Sequence, residues 1–253
     1  MTSNGILRMA GCLLTLAVAV PARDVTFLAT SDCHYRQPDH RLGHHNDLNR
    51  ATVDEINRIA EAEWPAAPGG GPIGRPRGLV VPGDLIDDGD LAGPGGRVIA
   101  REQFALFLAD FGLDGTDGRV RFPVFEGWGN HDGPPEGREK HGFSLQGELK
   151  KRNRIRLDRG FIDSVSSNGL HYAWTWDDVR FVMLNLYPAD RQREGLRYSP
   201  VWHDPQGSLS FLKADLAARV GASGRPVVLI SHCGFDTDWW TKDDWRDLYE
   251  AMR

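Results

Sequence analysis

Polar residues that could bind metal ions recur at four points along this sequence. The four stretches are Asp32-Cys33-His34, Gly83-Asp84, Gly129-Asn130-His131-Asp132 and Ser231-His232, and each follows a run typical of a buried strand. One such Asp or His is more often a helix cap or a satisfied polar residue than a ligand. Together, carboxylate and amide oxygens mixed with imidazoles are what Mn, Fe or Zn ions bind, and open α/β sheets place their chemistry at strand carboxyl ends. The combination therefore predicts a two-metal site.

The spacing of these residues suggests how two ions would be held. Asp32 and His34 lie two positions apart, so both can turn toward one ion if the chain bends there. Asp84 is the predicted bridge, because a carboxylate has two oxygens and can hold two cations about 3.5–4 Å apart. Asn130 would offer its amide oxygen and His232 an imidazole nitrogen to the second ion. A water between the ions would be acidified toward neutral pH and become a nucleophile.

Alternating strands and helices are predicted to position the first three stretches. Apolar runs predict strands over 25–30, 79–81 and 121–126, and helical spacing predicts helices over 48–64 and 101–111. The segment 65–77 is so rich in Pro and Gly that it is predicted to be a surface loop. The β-α-β-α-β order favours a largely parallel sheet.

The second half of the chain has a different pattern. Segments 170–176 and 179–186, joined by the Asp177-Asp178 turn, predict an antiparallel hairpin that a doubly wound nucleotide-binding fold would not need. A helix over 205–220 and a short strand over 226–230 follow, and this strand leads to His232. We find no internal repeat and no sign of a second domain.

Composition limits the classes of function. The chain has 253 residues, 40% of them hydrophobic and 26% charged, which is enough for one large core. The net charge of -5 argues against general binding to nucleic acids or anionic membranes, which usually needs a basic surface. An anionic substrate would have to be attracted locally, and metal ions would do that.

The amino terminus has the pattern of an export signal. Arg8 precedes an apolar stretch over 9–20, and Val20-Pro21-Ala22 offers small residues for cleavage. The stretch is shorter than the roughly 20 residues that span a bilayer. We therefore predict a signal peptide over 1–22, a domain over 23–253, export to the periplasm or the extracellular space, and no integral membrane span after cleavage. A mispredicted start or a buried first strand is the alternative.

Cleavage of that signal would leave two cysteines, Cys33 and Cys233, each adjacent to a predicted ligand. They could pair if the two loops approach one another, but two buried free thiols are the favoured interpretation. No Cys-x-x-Cys spacing suggests structural zinc.

The order of the motifs resembles that of the calcineurin-like metallophosphoesterase family, from about Asp32 to His232. The resemblance implies an α/β fold, a four-layer α/β/β/α sandwich in which two mixed sheets flanked by helices meet around a dinuclear centre. It implies a hydrolase acting on phosphoric ester bonds, mono- or diesters, with two divalent or trivalent ions (Mn, Fe or Zn) as cofactors. The implied substrate is a phosphorylated small molecule or a lipid headgroup, and no nucleic acid partner is expected.

The resemblance also implies a role for each residue. The implied metal ligands are Asp32 and His34 for the first ion, Asp84 as the bridge, and Asn130 and His232 for the second ion. His131 corresponds to the family's catalytic histidine, which contacts the scissile phosphate and protonates the leaving group. Asp132 would orient His131.

One departure from the family pattern is serious. Family members carry a later Gly-His-x-His motif that supplies a histidine to each metal, and no His follows His232 here. A helix predicted over 245–252 should lead to another strand, so we expect a truncated chain whose site lacks two ligands. The other histidines could substitute, although a surface or core position is favoured for each: His40, His44, His45, His141, His171 and His203.

Two alternatives to a working phosphoesterase stay open. The first is a catalytically weak or inactive fragment of the same fold that acts as a binding module. The second is a mononuclear metallohydrolase that acts on a carbon centre. A basic segment over 150–159 could receive an anionic headgroup, but a solvated helix end is favoured.

Overall fold

The computed structural model describes residues 24–67, 69–194, 196, 200–235 and 239–253. The predicted signal segment lies outside these residues, so the signal, the export and the domain boundary at residue 23 stay predictions. Among the described helices, none has the length and apolar character needed to cross a membrane.

The described strands form two sheets. The first contains β1 (Leu28–Ala29), β2 (Leu79–Val81) and β3 (Val124–Glu126), which are parallel and lie in that order. The second contains β4 (Ser164–Val165), β5 (Tyr172–Trp176), β6 (Val179–Met183) and β7 (Val227–Ile230), also in chain order. In the second sheet β4, β5 and β6 are antiparallel, and β7 runs parallel to β6.

The helices connect these strands. They are α1 (His45–Arg58), α2 (Ile99–Phe111), α3 (Leu145–Asp158), α4 (Pro200–His203), α5 (Ser208–Arg219) and α6 (Lys242–Met252). Short 3-10 turns occupy Ile59–Glu61 and Pro94–Gly96. The predicted hairpin and all the predicted helices are present, with ends shifted by a few residues.

The period of two along each strand divides the core into layers. Val80 and Phe125 belong to a cluster between the sheets, where the Phe125 ring stacks on Trp174 with centroids 4.4 Å apart. Their neighbours Leu79 and Val81 belong instead to the larger cluster that includes the buried aromatic residues of α2. The alternation of side chains between the two clusters therefore places α2 on the outer face of the first sheet.

The second sheet repeats this arrangement. Phe181 and Met183 of β6 are in the cluster between the sheets, whereas Val182 is in the larger cluster with Leu209 and Leu212 of α5. Helices thus cover the outside of both sheets, and the predicted four-layer α/β/β/α sandwich is confirmed. Two mixed sheets were expected. The second sheet is mixed, whereas the described strands of the first sheet are all parallel.

A buried ion-pair cluster ties α3 to the end of β3. Arg152 and Arg156 both pair with the carboxylate of Glu126, and Arg156 also donates to the carbonyl of Val124 from Nε at 3.0 Å and Nη2 at 2.8 Å. Burial raises the pKa of Glu126, but the two guanidinium groups lower it more, so the net shift is downward. The basic segment 150–159 is therefore partly a packing element rather than only a solvated helix end.

Candidate metal centre

The five predicted ligands follow the carboxyl ends of four strands. Asp32 and His34 follow β1, Asp84 follows β2, Asn130 follows β3 and His232 follows β7. The first three strands belong to the first sheet and β7 to the second. The site therefore lies where the ends of the two sheets meet.

Asp84 contacts three other residues of the site, His34, His131 and His232. Its Oδ2 lies 3.5 Å from Nε2 of His34 and 3.5 Å from Nε2 of His232. Its Oδ1 accepts a hydrogen bond from the backbone N–H of His131 at 2.8 Å. The bridging expectation assigned one ion to each oxygen, whereas in the structure a single oxygen, Oδ2, contacts both histidines.

Two groups of side chains bring three ligand atoms within 4.8 Å of one another, and both include Asp84. One group is His34, Asp84 and His131, and the other is Asp32, Asp84 and His232. The pairing of Asp32 with His232 differs from the implied pairing with His34, although Asp32 Oδ1 lies 3.8 Å from Nε2 of His34. Among the described residues, no histidine besides His34, His131 and His232 belongs to either group.

The donor set fits metal ions. Oδ1 of Asn130 and Nε2 of His232 are hydrogen-bonded at 2.8 Å, which is close to the separation of about 3 Å between two ligand atoms that bind one ion at about 2.1 Å and at a right angle. Nδ1 of His232 is buried and has no hydrogen-bond partner among the described residues. Carboxylates, an amide oxygen and imidazoles in one place match the preferences of Mn, Fe and Zn.

The backbone around these ligands is unusual. Asp32, His34 and Asp84 all adopt left-handed conformations, with φ of 57°, 43° and 52°. Such conformations cost energy in residues other than glycine and collect at functional sites. From the sequence, a bend after β1 was only the condition for Asp32 and His34 to share one ion.

Two glycines let the loops approach closely. A Cβ at Gly129 would lie 2.3 Å from Oδ1 of Asp84, and a Cβ at Gly83 would lie 2.7 Å from the backbone of Gly129. Gly83 also has a φ of 148°, which side-chain-bearing residues rarely adopt. The Gly-Asp and Gly-Asn-His-Asp motifs therefore need their glycines for steric reasons.

The family model of calcineurin-like phosphoesterases matches residues 25–252. The chain belongs to the calcineurin-like phosphoesterase family. A search of curated proteins finds no match to this chain. Membership accounts for the fold, and it indicates hydrolysis of phosphoesters that depends on metal ions.

In this calcineurin-like phosphoesterase, the catalytic candidate His131 has a defined tautomer. Its Nδ1 lies 3.0 Å from the backbone carbonyl of Asp87. A carbonyl only accepts hydrogen bonds, so Nδ1 carries the hydrogen and Nε2 is the nitrogen that can take or give a proton. The side chain is 46% exposed, which leaves it accessible to a substrate.

The hydrogen bonds that the structure describes for Asp132 are with backbone groups, and its expected role of orienting His131 stays a prediction. Its carboxylate is buried and accepts hydrogen bonds from the backbone N–H groups of Gly129 at 2.8 Å and Ile86 at 3.0 Å. It therefore joins the loops that follow β2 and β3. Burial, together with the nearby charge of Asp84, raises the pKa of Asp132 to about 7.

Two residues outside the predicted ligand set, Arg36 and Asp87, lie beside His34, where the sequence favoured a solvated loop and a charged turn. Arg36 donates to both carboxylate oxygens of Asp87, at 2.9 and 2.8 Å, and Oδ1 of Asp87 lies 2.9 Å from Nδ1 of His34. A carboxylate behind a ligating histidine sets its orientation and basicity. Asp87 lies three residues after Asp84, but a charged turn explained it equally well.

The carboxylates and imidazoles of the site stabilise one another's charged forms. Contact with His34 lowers the pKa of Asp32 to about 2, and the same contact raises the pKa of His34. Burial lowers the pKa of His232, but Asp84 and the other carboxylates raise it more, so the net shift is upward. The carboxylates thus favour positive charge on both His34 and His232, as is expected at a site that binds cations.

The remaining sequence candidates belong to neither group of ligand atoms. Cys33 and Cys233 are buried and free, and burial raises the pKa of both thiols. The other basic residues of segment 150–159 pair with acids: Lys150 with Glu136, Lys151 with Glu148, Arg154 with Asp158 and Arg159 with Asp114. This segment therefore offers little uncompensated charge to an anionic headgroup.

Proposed function

We propose that this chain hydrolyses phosphate mono- or diesters with two metal ions, Mn, Fe or Zn, held around Asp84. The observation that carries the proposal is that Asp84 belongs to both groups of ligand atoms. The Asp84 carboxylate, with one oxygen 3.5 Å from two imidazole nitrogens, would help to hold both cations. The substrate is proposed to be a phosphorylated small molecule or a lipid headgroup.

The residues would divide the work as follows. Asp32, His34, Asn130 and His232 would supply the outer ligand atoms around Asp84, and the carboxylate of Asp87 lies 2.9 Å from Nδ1 of His34. Two bound ions would supply an acidified water and would neutralise the negative charge that develops on the phosphoryl oxygens.

His131 would handle the proton of the leaving group. The carbonyl of Asp87 holds its Nδ1–H, so in the protonated ring Nε2–H is the hydrogen available for donation. Transfer of that proton to the departing oxygen leaves the ring neutral and in the tautomer inferred from the contact with the Asp87 carbonyl. Its position beside Asp84, through the 2.8 Å bond from its backbone N–H, keeps the ring next to the candidate metal ligands.

Substitution of Asp84 tests the proposal. The full chain, Asp84→Asn and Asp110→Asn are assayed with p-nitrophenyl phosphate, bis-p-nitrophenyl phosphate and p-nitrophenyl acetate, each with added Mn²⁺. Asp110 is a matched control, because it is also buried but accepts its hydrogen bond from Tyr35, at 2.8 Å, outside the two ligand groups.

We expect hydrolysis of a phosphate ester that Asp84→Asn lowers by more than about 100-fold, because even outer-shell partners of a metal contribute about 10–100-fold. Asp110→Asn should keep most of the activity. Mn²⁺ binding without turnover would support the binding-module alternative. Hydrolysis of the acetate alone would support chemistry at a carbon centre.

A further inference from the structure

Asn185 lies in the loop after β6, and no motif of the sequence pointed to it. Its side chain is buried and its backbone is left-handed, with a φ of 59°. It thus shares its rare backbone conformation with Asp32, His34 and Asp84. Asn tolerates this conformation better than most residues, because its short polar side chain can bond locally.

Asn185 bonds to the two segments that carry the ligands of one candidate ion. Its Oδ1 accepts a hydrogen bond from the backbone N–H of Trp128 at 2.8 Å, two residues before Asn130. Its backbone carbonyl accepts the N–H of His232 at 2.6 Å. One residue therefore ties the loop after β3 to the loop after β7, across the two sheets.

The orientation of the Asn185 amide is set by a second pair of contacts. Its Nδ2 donates to the carbonyl of Leu170 at 3.1 Å and lies 2.9 Å from Nδ1 of His171. Nε2 of His171 lies 3.2 Å from the carbonyl of Gln206, which only accepts, so Nε2 carries the hydrogen and Nδ1 is an acceptor. The amide nitrogen is therefore held toward His171 and the amide oxygen toward Trp128.

We propose that Asn185 is a positioning residue of the metal site, which holds Asn130 and His232 at the separation at which both bind one ion. That separation is 2.8 Å between Oδ1 of Asn130 and Nε2 of His232. The inference rests on the proposed function, because it takes these two side chains to be ligands. Loss of the Asn185 amide would release the segment before Asn130 while His232 stays bonded to the backbone.

The test compares variants in the full chain. Asn185→Gly removes the side chain and still accommodates the left-handed backbone. Asn185→Asp keeps the oxygen that accepts from Trp128. Asn153→Ala is the matched control, because Asn153 is equally buried and donates to the same Leu170 carbonyl at 3.2 Å, but bonds to neither ligand segment.

The measurement is the Mn²⁺ dissociation constant, determined from the electron paramagnetic resonance signal of free Mn²⁺. It is made at a temperature at which circular dichroism shows each variant folded. Should Asn185→Gly not fold, Asn185→Ser replaces it, since a Ser side chain is too short to reach both Trp128 and His171.

We expect Asn185→Gly to weaken Mn²⁺ binding by roughly 10–100-fold, as is typical of residues that orient metal ligands. Asn153→Ala should bind within about twofold of the wild type, as expected for a residue outside the ligand shell, and Asn185→Asp should bind more tightly than Asn185→Gly. The inference would be overturned, with the proposed function left standing, by either of two results. One is that Asn185→Gly binds Mn²⁺ as tightly as the wild type. The other is that Asn153→Ala weakens Mn²⁺ binding as much as Asn185→Gly does. A wild-type chain that binds no Mn²⁺ would overturn the proposed function and the inference together.

Discussion

Hydrogen bonds decide which atom of each side chain at the metal centre is free to act. Oδ1 of Asp84 is engaged by the backbone of His131, so Oδ2 is the oxygen that contacts His34 and His232. Nδ1 of His131 is engaged by the carbonyl of Asp87, so Nε2 is the ring nitrogen left for the proposed proton transfer. The residue types alone leave these assignments open.

Substitution of His131 separates proton transfer from metal binding. His131→Gln should lower kcat by about 10²–10⁴-fold, the usual contribution of a general acid. The loss should be larger for an alkyl phosphate than for p-nitrophenyl phosphate, because p-nitrophenolate departs without protonation. The measurements are kcat for both substrates and the Mn²⁺ dissociation constant. Since His131 also belongs to one ligand group, a large fall in Mn²⁺ affinity would instead make it a ligand.

At the scale of elements, the loops after β2 and β3 pack closely against one another. Asp132 bonds to both, and Gly129 packs directly on Asp84. The strands themselves are short, so the position of each ligand depends on these contacts between loops as much as on the sheet.

Gly129→Ala tests that close contact. The new methyl group would lie 2.3 Å from Oδ1 of Asp84, so the loop must move. We expect a loss of stability of about 1–3 kcal/mol, typical of overpacking, and a fall in Mn²⁺ affinity. Gly74→Ala is the control, because its nearest atom is the Thr26 hydroxyl at 3.3 Å. Urea unfolding and Mn²⁺ titration check both variants, and wild-type affinity in Gly129→Ala would contradict the steric argument.

At the scale of the whole molecule, a buried histidine couples stability to pH. His171 is fully buried, and burial lowers its pKa to about 4. In the unfolded chain the pKa of a histidine is about 6.5, so between these values the unfolded state binds more protons. Stability should therefore be complete above about pH 6.5 and fall as the pH decreases toward 4.

Between pH 7 and pH 5, the protonation of this histidine in the unfolded state should lower the free energy of unfolding by about 2 kcal/mol. Urea unfolding of the wild type and of His171→Gln at both pH values measures it. The variant should show a smaller decrease in its free energy of unfolding, since its Gln does not titrate. An equal decrease in both proteins would assign the pH dependence to the carboxylates instead.

Much of the fold could be predicted, because hydrophobic periodicity reflects which face of each element is buried. The run 79–81, the hairpin around Asp177 and the helix before β7 each had a clear local pattern. The strands β1 and β3 were predicted too long, because the point at which a strand begins or ends depends on its pairing partner. The basic segment in α3 was predicted largely as solvated, because nothing local shows that Arg156 meets Glu126.

For the site, polar residues at strand ends were enough to select the ligand candidates and the family. Metal chemistry constrains residue type, and strand order constrains position, and both are visible in the chain. Asn185 was not found, Asp87 and Arg36 were explained as a charged turn and a solvated loop, and the backbone contacts of Asp132 were not foreseen, because these contacts depend on partners many residues away. Which atoms face one another, and which residues hold them there, is set by packing between two sheets whose strands are distant in sequence.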